Sequence, residues 1–275
     1  MMRAAMTDFT SRLSRQDGVV VWVHATQGSV PREAGTWMGV LGGADGAVIG
    51  TIGGGQLEFA AIEEARRRLA GGEGPALQRV ALGPSLGQCC GGVVELRYER
   101  VSHADLPALQ ARLSAQHAPL ALFGGGHVGR ALVNVLGVLP FAITWIDSRD
   151  EIFPAEVAPA VACEHSDPVH GAVPHLAAGS HVLVMSFSHA EDLDVVAACL
   201  QRQRARGDLG FIGLIGSKTK WATFRHRLEA RGFTEGELAR VTCPIGLPGI
   251  TGKEPEVIAV SVAAQLLQLP RERAG

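Results

Sequence analysis

The segment Leu120–Val133 (LALFGGGHVGRALV) constrains the fold of this chain more than any other stretch. It has the pattern of an apolar strand, a G-x-G-x-x-G turn and a helix. Gly124 permits the tight turn, Gly126 lets the backbone approach a phosphate, and Gly129 lets the helix pack on the strand. The helix start supplies amide donors and a dipole that favour an anion. The pattern therefore predicts a Rossmann-type domain that binds a phosphorylated ligand.

An acidic residue, Asp147, ends the next predicted strand, about 20 residues after the glycines, where a ribose-binding acid is expected. Ser148 and Arg149 follow it. A binding role would place Asp147 on a hydroxyl or Arg149 near a phosphate. The alternative is a tight turn that binds nothing and a solvated loop at a strand end. The motif indicates a phosphorylated ligand without specifying NAD.

Apolar strands and helices alternate through the second half of the chain, which predicts a parallel sheet covered on both faces. The first half is richer in strands and has an α+β pattern. The fold prediction is therefore an α/β chain with a C-terminal Rossmann-like parallel-sheet domain, preceded by a smaller α+β N-terminal domain. We place the domains at 1–117 and 118–275.

Composition excludes several classes of function. The net charge of −2 and an aromatic content of 5% argue against nucleic-acid binding, which needs a basic patch or a stacking platform. No uncharged apolar run reaches the ~18 residues of a membrane span, and the N-terminus lacks a signal-peptide pattern. Five widely spaced cysteines do not resemble a secreted disulfide framework. We therefore expect a cytoplasmic protein.

The N-terminal half carries a second glycine-rich turn, IGGGQLE, in which Gly53, Gly54 and Gly55 precede a helix containing Gln56 and Glu58. Consecutive glycines can expose amides that bind an anion. Alternatively, the turn is structural and Glu58 simply favours the first turn of the helix. These residues alone do not decide between the two interpretations.

The segment QCCGG contains adjacent cysteines, Cys89 and Cys90, flanked by Gln88 and Gly91. Thiolates are nucleophiles and soft ligands, so the pair could contact a metal-bound sulfur, carry a persulfide or ligate a soft metal. Buried packing is the alternative for any cysteine. Zinc is disfavoured because no second Cys/His pair has the usual spacing. We assign the other three cysteines to structure and predict no resident metal site.

Ligands of doubly wound sheets bind beyond the carboxyl ends of the strands. This rule singles out three further positions. His189 could contact an anion or act as an acid or base, or it could be a helix-capping or solvent histidine. Lys218 could meet a phosphate, whereas Ser217 has the position of a helix N-cap.

Taken together, these motifs resemble those of the XdhC proteins, which are accessory factors of bacterial xanthine dehydrogenase related to CoxI-type factors. The resemblance runs from about Gly28 to Leu267. It is carried by GSVPREAG, GTIGGGQLE, GQCCGG, FGGGHVGR, WIDSR, SFSHAEDLD, GLIGSKTKW and PIGLPGITGKEPEVIAVSV.

The resemblance implies a chaperone without catalysis of its own. Such a protein would bind the molybdenum cofactor, molybdopterin, and support its sulfuration with a cysteine desulfurase. It would then deliver the cofactor to the xanthine dehydrogenase apo-subunit, in purine catabolism. The phosphate loop would suit the pterin phosphate, and the thiol pair would suit a molybdenum–sulfur centre.

Two positions depart from the family pattern. Ala190 stands after His189 where many members carry aspartate, which weakens any role for a His–Asp pair there. Gln56 stands where the CoxI-like branch often carries cysteine, which moves thiol chemistry onto Cys89 and Cys90.

Two other functions remain open at this point. An NAD(P)-dependent oxidoreductase fits the glycine loop, although Tyr98 is the only tyrosine and no Tyr-x-x-x-Lys pair exists. The domain could also be a scaffold between partners. A homodimer is expected only because two-fold assemblies are the commonest. The candidate cofactor-binding residues are Gly53, Gly54, Gly55, Gln56, Glu58, Gln88, Cys89, Cys90, Gly91, Gly124, Gly125, Gly126, His127, Val128, Gly129, Asp147, Ser148, Arg149, His189, Ser217 and Lys218.

Overall fold

The computed structural model describes residues 2–43, 46–83, 91–114, 117–158 and 161–270. The chain forms two compact units, Met1–Gln116 and His117–Gly275. Among the described helices, none combines the length and apolar character that a membrane span requires.

The first unit is a five-stranded antiparallel sheet with helices on both faces. Its strands lie in the order β3-β2-β1-β5-β4. A 3₁₀ turn, His103–Asp105, precedes its last helix. Its elements are α1 (Met2–Leu13), β1 (Gly18–Gln27), β2 (Trp37–Leu41), β3 (Val48–Gly50), α2 (Gly55–Leu69), β4 (Leu77–Ala81), β5 (Val93–Val101) and α3 (Leu106–Ser114).

The central strand β1 is buried on both faces, and its alternating side chains divide the core of the first unit into two layers. Val19 and Val21 face the cluster that includes Leu57 of α2. Val20 and Trp22 face the cluster formed with α1 and α3. The β-branched side chains of β1 therefore pack into the core on both faces of the sheet.

The second unit is a six-stranded parallel sheet. A 3₁₀ segment, Val169–His175, follows its third strand. Its elements are β6 (Ala118–Phe123), α4 (His127–Leu136), β7 (Phe141–Asp147), β8 (Val161–His165), β9 (His181–Val184), α5 (His189–Arg206), β10 (Phe211–Leu214), α6 (Lys218–Ala230), α7 (Glu235–Leu238), β11 (Val241–Thr242) and α8 (Pro255–Leu267).

The strand order of this sheet is β11-β10-β9-β6-β7-β8. Numbered within the unit, and read from β8, the order is 3-2-1-4-5-6, the doubly wound order of Rossmann domains. Helices α4 and α8 cover one face, and α5, α6 and α7 cover the other. The predicted α/β fold is confirmed. The strand order reverses between β6 and β9, so a ligand crevice is expected beyond their carboxyl ends.

Candidate functional site

The glycine loop after β6 excludes side chains at two motif positions and leaves the third open. A Cβ at Gly124, whose φ is +125°, would overlap the carbonyl oxygen of Met185. A Cβ at Gly129 would overlap the carbonyl oxygen of Gly124, so only glycine lets α4 pack this closely on β6. A Cβ at Gly126 would meet no described atom within 4 Å. Gly126 is therefore the position at which a ligand can approach the backbone.

The carbonyl of Gly124 accepts a hydrogen bond from a buried tryptophan. Trp145 Nε1 donates to the Gly124 carbonyl oxygen over 2.9 Å, and Gly124 N donates to the Ile146 carbonyl oxygen over 2.8 Å. Both partners belong to β7. The loop is consequently fixed by the neighbouring strand before any ligand binds.

The second residue of the loop donates its amide to the predicted acid. Gly125 N lies 2.6 Å from Asp147 Oδ2. A Cβ at Gly125 would come within 2.6 Å of Ile152 Cγ1, so this position faces into the protein. The Gly125 amide is therefore used inside the chain. The donors that remain for an anion are the amides at the start of α4, at Gly126, His127 and Val128.

The Asp147 side chain is fully buried and pairs with Arg149. Its Oδ1 accepts from Arg149 N and Nε, both over 2.9 Å. Its Oδ2 accepts from Arg149 Nη2 over 2.9 Å, in addition to the Gly125 amide. Burial alone would raise the pKa of Asp147, but the hydrogen bonds from Arg149 and Gly125 outweigh it and hold the pKa below its ordinary value. The carboxylate is ionised and directed inward.

Arg149 also reaches the loop that follows β9. Its guanidinium carbon lies 4.6 Å from the centroid of the Phe187 ring, and its side chain is 32% exposed. Phe187 is 67% exposed. The hydrogen bonds to Asp147 also raise the pKa of Arg149. A permanent cation and an exposed aromatic ring therefore meet beside the glycine loop.

Glu191, in the first turn of α5, ties the loop after β7 to the loop after β9. Its Oε1 accepts from Ser148 Oγ over 2.6 Å, and its Oε2 accepts from Phe187 N over 3.1 Å. Its own amide donates to Ser188 Oγ, which caps the helix. Ser148 is therefore a structural link between the two loops that flank the crevice.

A buried ion pair supports the loops after β9 and β10. Lys220 Nζ donates to Asp192 Oδ2 over 2.7 Å and to the Ile215 carbonyl oxygen over 2.8 Å. Asp192 Oδ1 accepts from Ser186 N over 2.7 Å. These bonds give the chain a defined path at the carboxyl ends of both strands.

Ser217 caps α6, as its position before Lys218 predicted, and its Oγ accepts from Lys220 N over 3.2 Å. Lys218 is exposed and lines a cleft of about 500 Å³ formed with the loop after β11 and the start of α8. Cys243, in the turn after β11, is half-buried, and this burial raises the pKa of its thiol to about 11. The thiol is therefore protonated at neutral pH.

His189 is the first residue of α5 and is exposed. Its ring lies nearly perpendicular to that of Phe224, with ring centroids 6.2 Å apart and an interplanar angle of 82°. Ser188, and not His189, supplies the helix cap. Of the two structural alternatives for His189, the exposed position is the one observed.

In the first unit, a side chain of α2 binds the amides of the glycine turn that precedes this helix. Glu58 Oε2 accepts from Ile52 N over 3.0 Å and from Gly54 N over 3.2 Å, and also from Thr51 Oγ1. Gly53, Gly54 and Gly55 have φ values of +128°, +77° and +64°, a region that favours glycine. The carboxylate of Glu58 fills the position that an external anion would take in the binding interpretation of this turn.

Three glycine-containing segments of the first unit lie close together. A Cβ at Gly53 would come within 2.7 Å of Pro31 Cγ. A Cβ at Gly28 would lie 3.3 Å from the Cα of Gly92. Gly91 and Gly54 are open, since a Cβ at either would meet nothing described within 4 Å. The loop containing Gly28, the glycine turn before α2 and the start of β5 thus share one end of this sheet.

The predicted thiol site lies largely outside the described residues. Gln88, Cys89 and Cys90 belong to the undescribed segment 84–90, and the described residues of that motif are Gly91 and Gly92. Within the described part of the chain, no three His, Cys, Asp or Glu side chains are arranged to hold a metal ion.

Sequence reasoning overlooked several residues that shape the crevice. Ser188 and Glu191 have the S-x-x-E spacing of a capping box, a signal that would have placed the start of α5 at His189. Lys220 and Asp192 carried no such signal, because their pairing over 28 positions depends on the packing of α6 against α5. Phe187 follows the end of β9, where a ligand-binding residue is expected, but no role was assigned to it.

The fold and the crevice together define a class of protein: a Rossmann-type unit with a phosphate-loop motif, preceded by an antiparallel-sheet unit. The family model described as the XdhC Rossmann domain matches residues 120–266. The model described as the XdhC and CoxI family matches residues 12–80. The chain belongs to the XdhC and CoxI family, so the resemblance inferred from the motifs is confirmed.

Two relatives are similar over most of the chain. The uncharacterized protein YqeB of Escherichia coli K12 is 28% identical over 255 residues, which cover 91% of this chain and 43% of YqeB. The chain therefore spans less than half the length of that relative. A Bacillus halodurans protein described as a xanthine dehydrogenase has a TM-score of 0.74 at 19% identity, and the match covers 97% of this chain and 94% of that one. This second likeness shows a shared fold.

Proposed function

We propose that this protein is an accessory factor of xanthine dehydrogenase that holds the molybdenum cofactor as cargo and delivers it to the apo-subunit. Membership of the XdhC and CoxI family supports the accessory role. The observation that carries the binding role is the open backbone at Gly126, at the start of α4. Amide donors at the start of a helix favour the binding of a phosphate, such as that of a pterin cofactor.

The charges around the crevice support an anionic cargo. Arg149 is a permanent cation, and Asp147 binds two of its guanidinium nitrogens. Helix α4 adds the positive end of its dipole at Gly126. His127 and Val128 contribute amides in the same first turn. The phosphate end of the cargo would therefore lie against the second unit.

The remaining part of the proposal concerns sulfur. A cysteine desulfurase partner would supply sulfur for the sulfuration of the cargo, and this protein would present the cofactor to that partner. The pair Cys89 and Cys90 stays a prediction for this step. In this proposal the protein has no catalytic activity of its own.

The NAD(P)-dependent oxidoreductase is the competing function, and the geometry at Asp147 disfavours it. A ribose-binding acid must accept hydroxyl groups of the dinucleotide. Both oxygens of Asp147 already accept from Arg149, and Oδ2 also accepts from Gly125. Titration with NAD(H) and NADP(H) separates the two functions: micromolar binding with turnover would establish the oxidoreductase.

The cargo function is tested by mixing the purified protein with molybdopterin and measuring bound pterin fluorescence and molybdenum. Gly126→Asp puts a charge and bulk at the open position and should abolish binding and activation of apo-xanthine dehydrogenase. Gly126→Ala, which adds one methyl group in open space, is the matched control for the fold. A wild-type protein that stays empty in excess cofactor would refute the cargo function, and a Gly126→Asp variant that still activates the client would favour a scaffold.

The thiol step has its own test. A Cys89→Ala, Cys90→Ala double variant should lower sulfuration of the client while leaving pterin binding to the second unit measurable. Cys199→Ala is a matched control, because that thiol is buried in the core of the second unit. Unchanged client activity in the double variant would remove both cysteines from the mechanism.

A further inference from the structure

The environment of Asp147 determines which half of a phosphorylated ligand this crevice can accept. An ionised carboxylate offers about four acceptor positions. Here Oδ1 accepts from Arg149 N and Nε, while Oδ2 accepts from Gly125 N and Arg149 Nη2. All four positions are filled from within the chain, and the side chain has no exposed surface. A ribose diol would have to displace Arg149 to reach this acid.

Arg149 retains binding capacity on its outer side. Nε and Nη2 bind Asp147, which leaves Nη1 as the guanidinium nitrogen that Asp147 does not use. One face of the guanidinium lies on the Phe187 ring at 4.6 Å. Glu191 is the nearby carboxylate, and its oxygens are engaged by Ser148 Oγ and Phe187 N. The outer side of Arg149 therefore offers a charged donor, with the buried Asp147 and the half-buried Glu191 as its counter-charges.

Phe187 supplies the second element of recognition. It follows β9, on the other side of the switch point from Asp147, and 67% of its surface is exposed. An exposed aromatic ring beside a phosphate cradle can stack on a planar heterocycle. The open position at Gly126 lies in the loop after β6. Strand β6 lies between β7, which Asp147 ends, and β9, which Phe187 follows.

We propose that Arg149 closes the subsite in which Rossmann proteins hold the adenosine ribose of a dinucleotide and makes the crevice selective for phosphomonoesters of planar heterocycles. The terminal phosphate would bind the amides at the start of α4 and Arg149 Nη1, and the ring would stack on Phe187. This specificity rests on the proposed function only in that the same glycine loop holds the phosphate. It names the ligand class: a planar ring that ends in a single phosphate.

Flavins provide a fluorescent probe set for this specificity. FMN is a phosphomonoester with a planar ring, riboflavin lacks the phosphate, and FAD is the dinucleotide of the same ring. Equilibrium titration of the full chain should show FMN binding at least about tenfold more tightly than riboflavin or FAD, the size expected for a charge-assisted hydrogen bond. NADP⁺ should also bind more weakly than FMN. Equal or tighter binding of FAD or NADP⁺, or no binding of FMN at millimolar concentration, would overturn the proposal.

Substitution of Arg149 should reverse the preference. Arg149→Ala removes the phosphate contact and exposes Asp147, so FMN should bind about tenfold more weakly while FAD binds more tightly than it does to the wild type. Arg231→Met, which changes an exposed arginine paired with Asp194, should leave the FMN-to-FAD ratio at its wild-type value. An unchanged ratio in Arg149→Ala would contradict the assignment.

A second variant covers the case in which Arg149→Ala fails to fold. Phe187→Ala removes an exposed ring and should weaken FMN binding severalfold while leaving the affinity for inorganic phosphate unchanged. Loss of both affinities, or of neither, would contradict the stacking role. Molybdopterin binding separates the two proposals. If the protein binds FMN selectively but not molybdopterin, the cargo function fails and the ligand class stands; the opposite result removes the specificity alone.

Discussion

Lys220 Nζ lies 2.7 Å from Asp192 Oδ2, and the two side chains are only 12% and 3% exposed. Asp192 also accepts from the amide of Ser186, and Lys220 donates to the carbonyl of Ile215. The pair therefore joins α5 and α6 to the loops after β9 and β10. Those loops border the crevice, so the pair stabilises the shape of the site without facing the ligand.

Replacing Lys220 by methionine should lower the free energy of unfolding by about 3–5 kcal/mol, because it leaves the buried Asp192 carboxylate without its cation. Lys253→Met, at an exposed lysine, should change it by less than about 0.5 kcal/mol. Urea denaturation followed by circular dichroism measures both. If both variants unfold at the same urea concentration as the wild type, the ion pair has no supporting role.

Gly129→Ala should destabilise the second unit by about 3 kcal/mol, because the added Cβ would overlap the carbonyl oxygen of Gly124 and force α4 away from β6. Gly126→Ala, three residues earlier, adds its Cβ to open space and should leave stability nearly unchanged. Thermal unfolding of the two variants gives the comparison. Equal loss of stability in both would contradict the close packing of α4 on β6.

Glu58→Ala should lower the free energy of unfolding by about 2 kcal/mol, because the amides of Ile52 and Gly54 lose their acceptor. Glu63→Ala is the control on the same helix, since the Glu63 side chain is 57% exposed. Chemical denaturation of both variants measures the difference. If an external anion such as sulfate restores the stability of Glu58→Ala, the turn can bind an anion when its own carboxylate is removed.

Tyr98 is the only tyrosine, so its ionisation can be followed directly by ultraviolet absorbance. Burial, together with the nearby Glu64 carboxylate, raises the pKa of Tyr98 to about 12, although the Arg68 guanidinium opposes this change. The native protein should show tyrosinate absorbance only near pH 12. Glu64→Gln should move the midpoint to lower pH, and a wild-type midpoint near pH 10 would contradict the burial of the ring.

The raised pKa of Tyr98 also makes the stability of the fold depend on pH. Because the pKa of Tyr98 in the folded state lies above its unfolded value of 10.0, folding favours the protonated phenol. This contribution is fully present below about pH 10 and is lost as the pH rises towards about 12. Tyr98→Phe, which cannot ionise, should therefore lose stability less steeply than the wild type across that interval. Parallel curves for the two proteins would refute this linkage.

Local patterns were sufficient for much of the architecture. The alternation of apolar strands and helices predicted the parallel sheet, which is the sheet of the second unit. Ser217 was identified as a cap from its position alone. These features depend on neighbours within a few residues, so short-range periodicity and capping chemistry suffice to predict them.

The sequence by itself determined the class of fold, the family and the location of the glycine loop after β6, because each follows from glycine spacing and hydrophobic period. Only the tertiary structure decided which groups bind the Asp147 carboxylate. Arg149 donates to Asp147, and the Arg149 guanidinium stacks on Phe187. Arg149 follows β7, whereas Phe187 follows β9. Such contacts join residues brought together by the order of strands in a sheet, and no local pattern records that order.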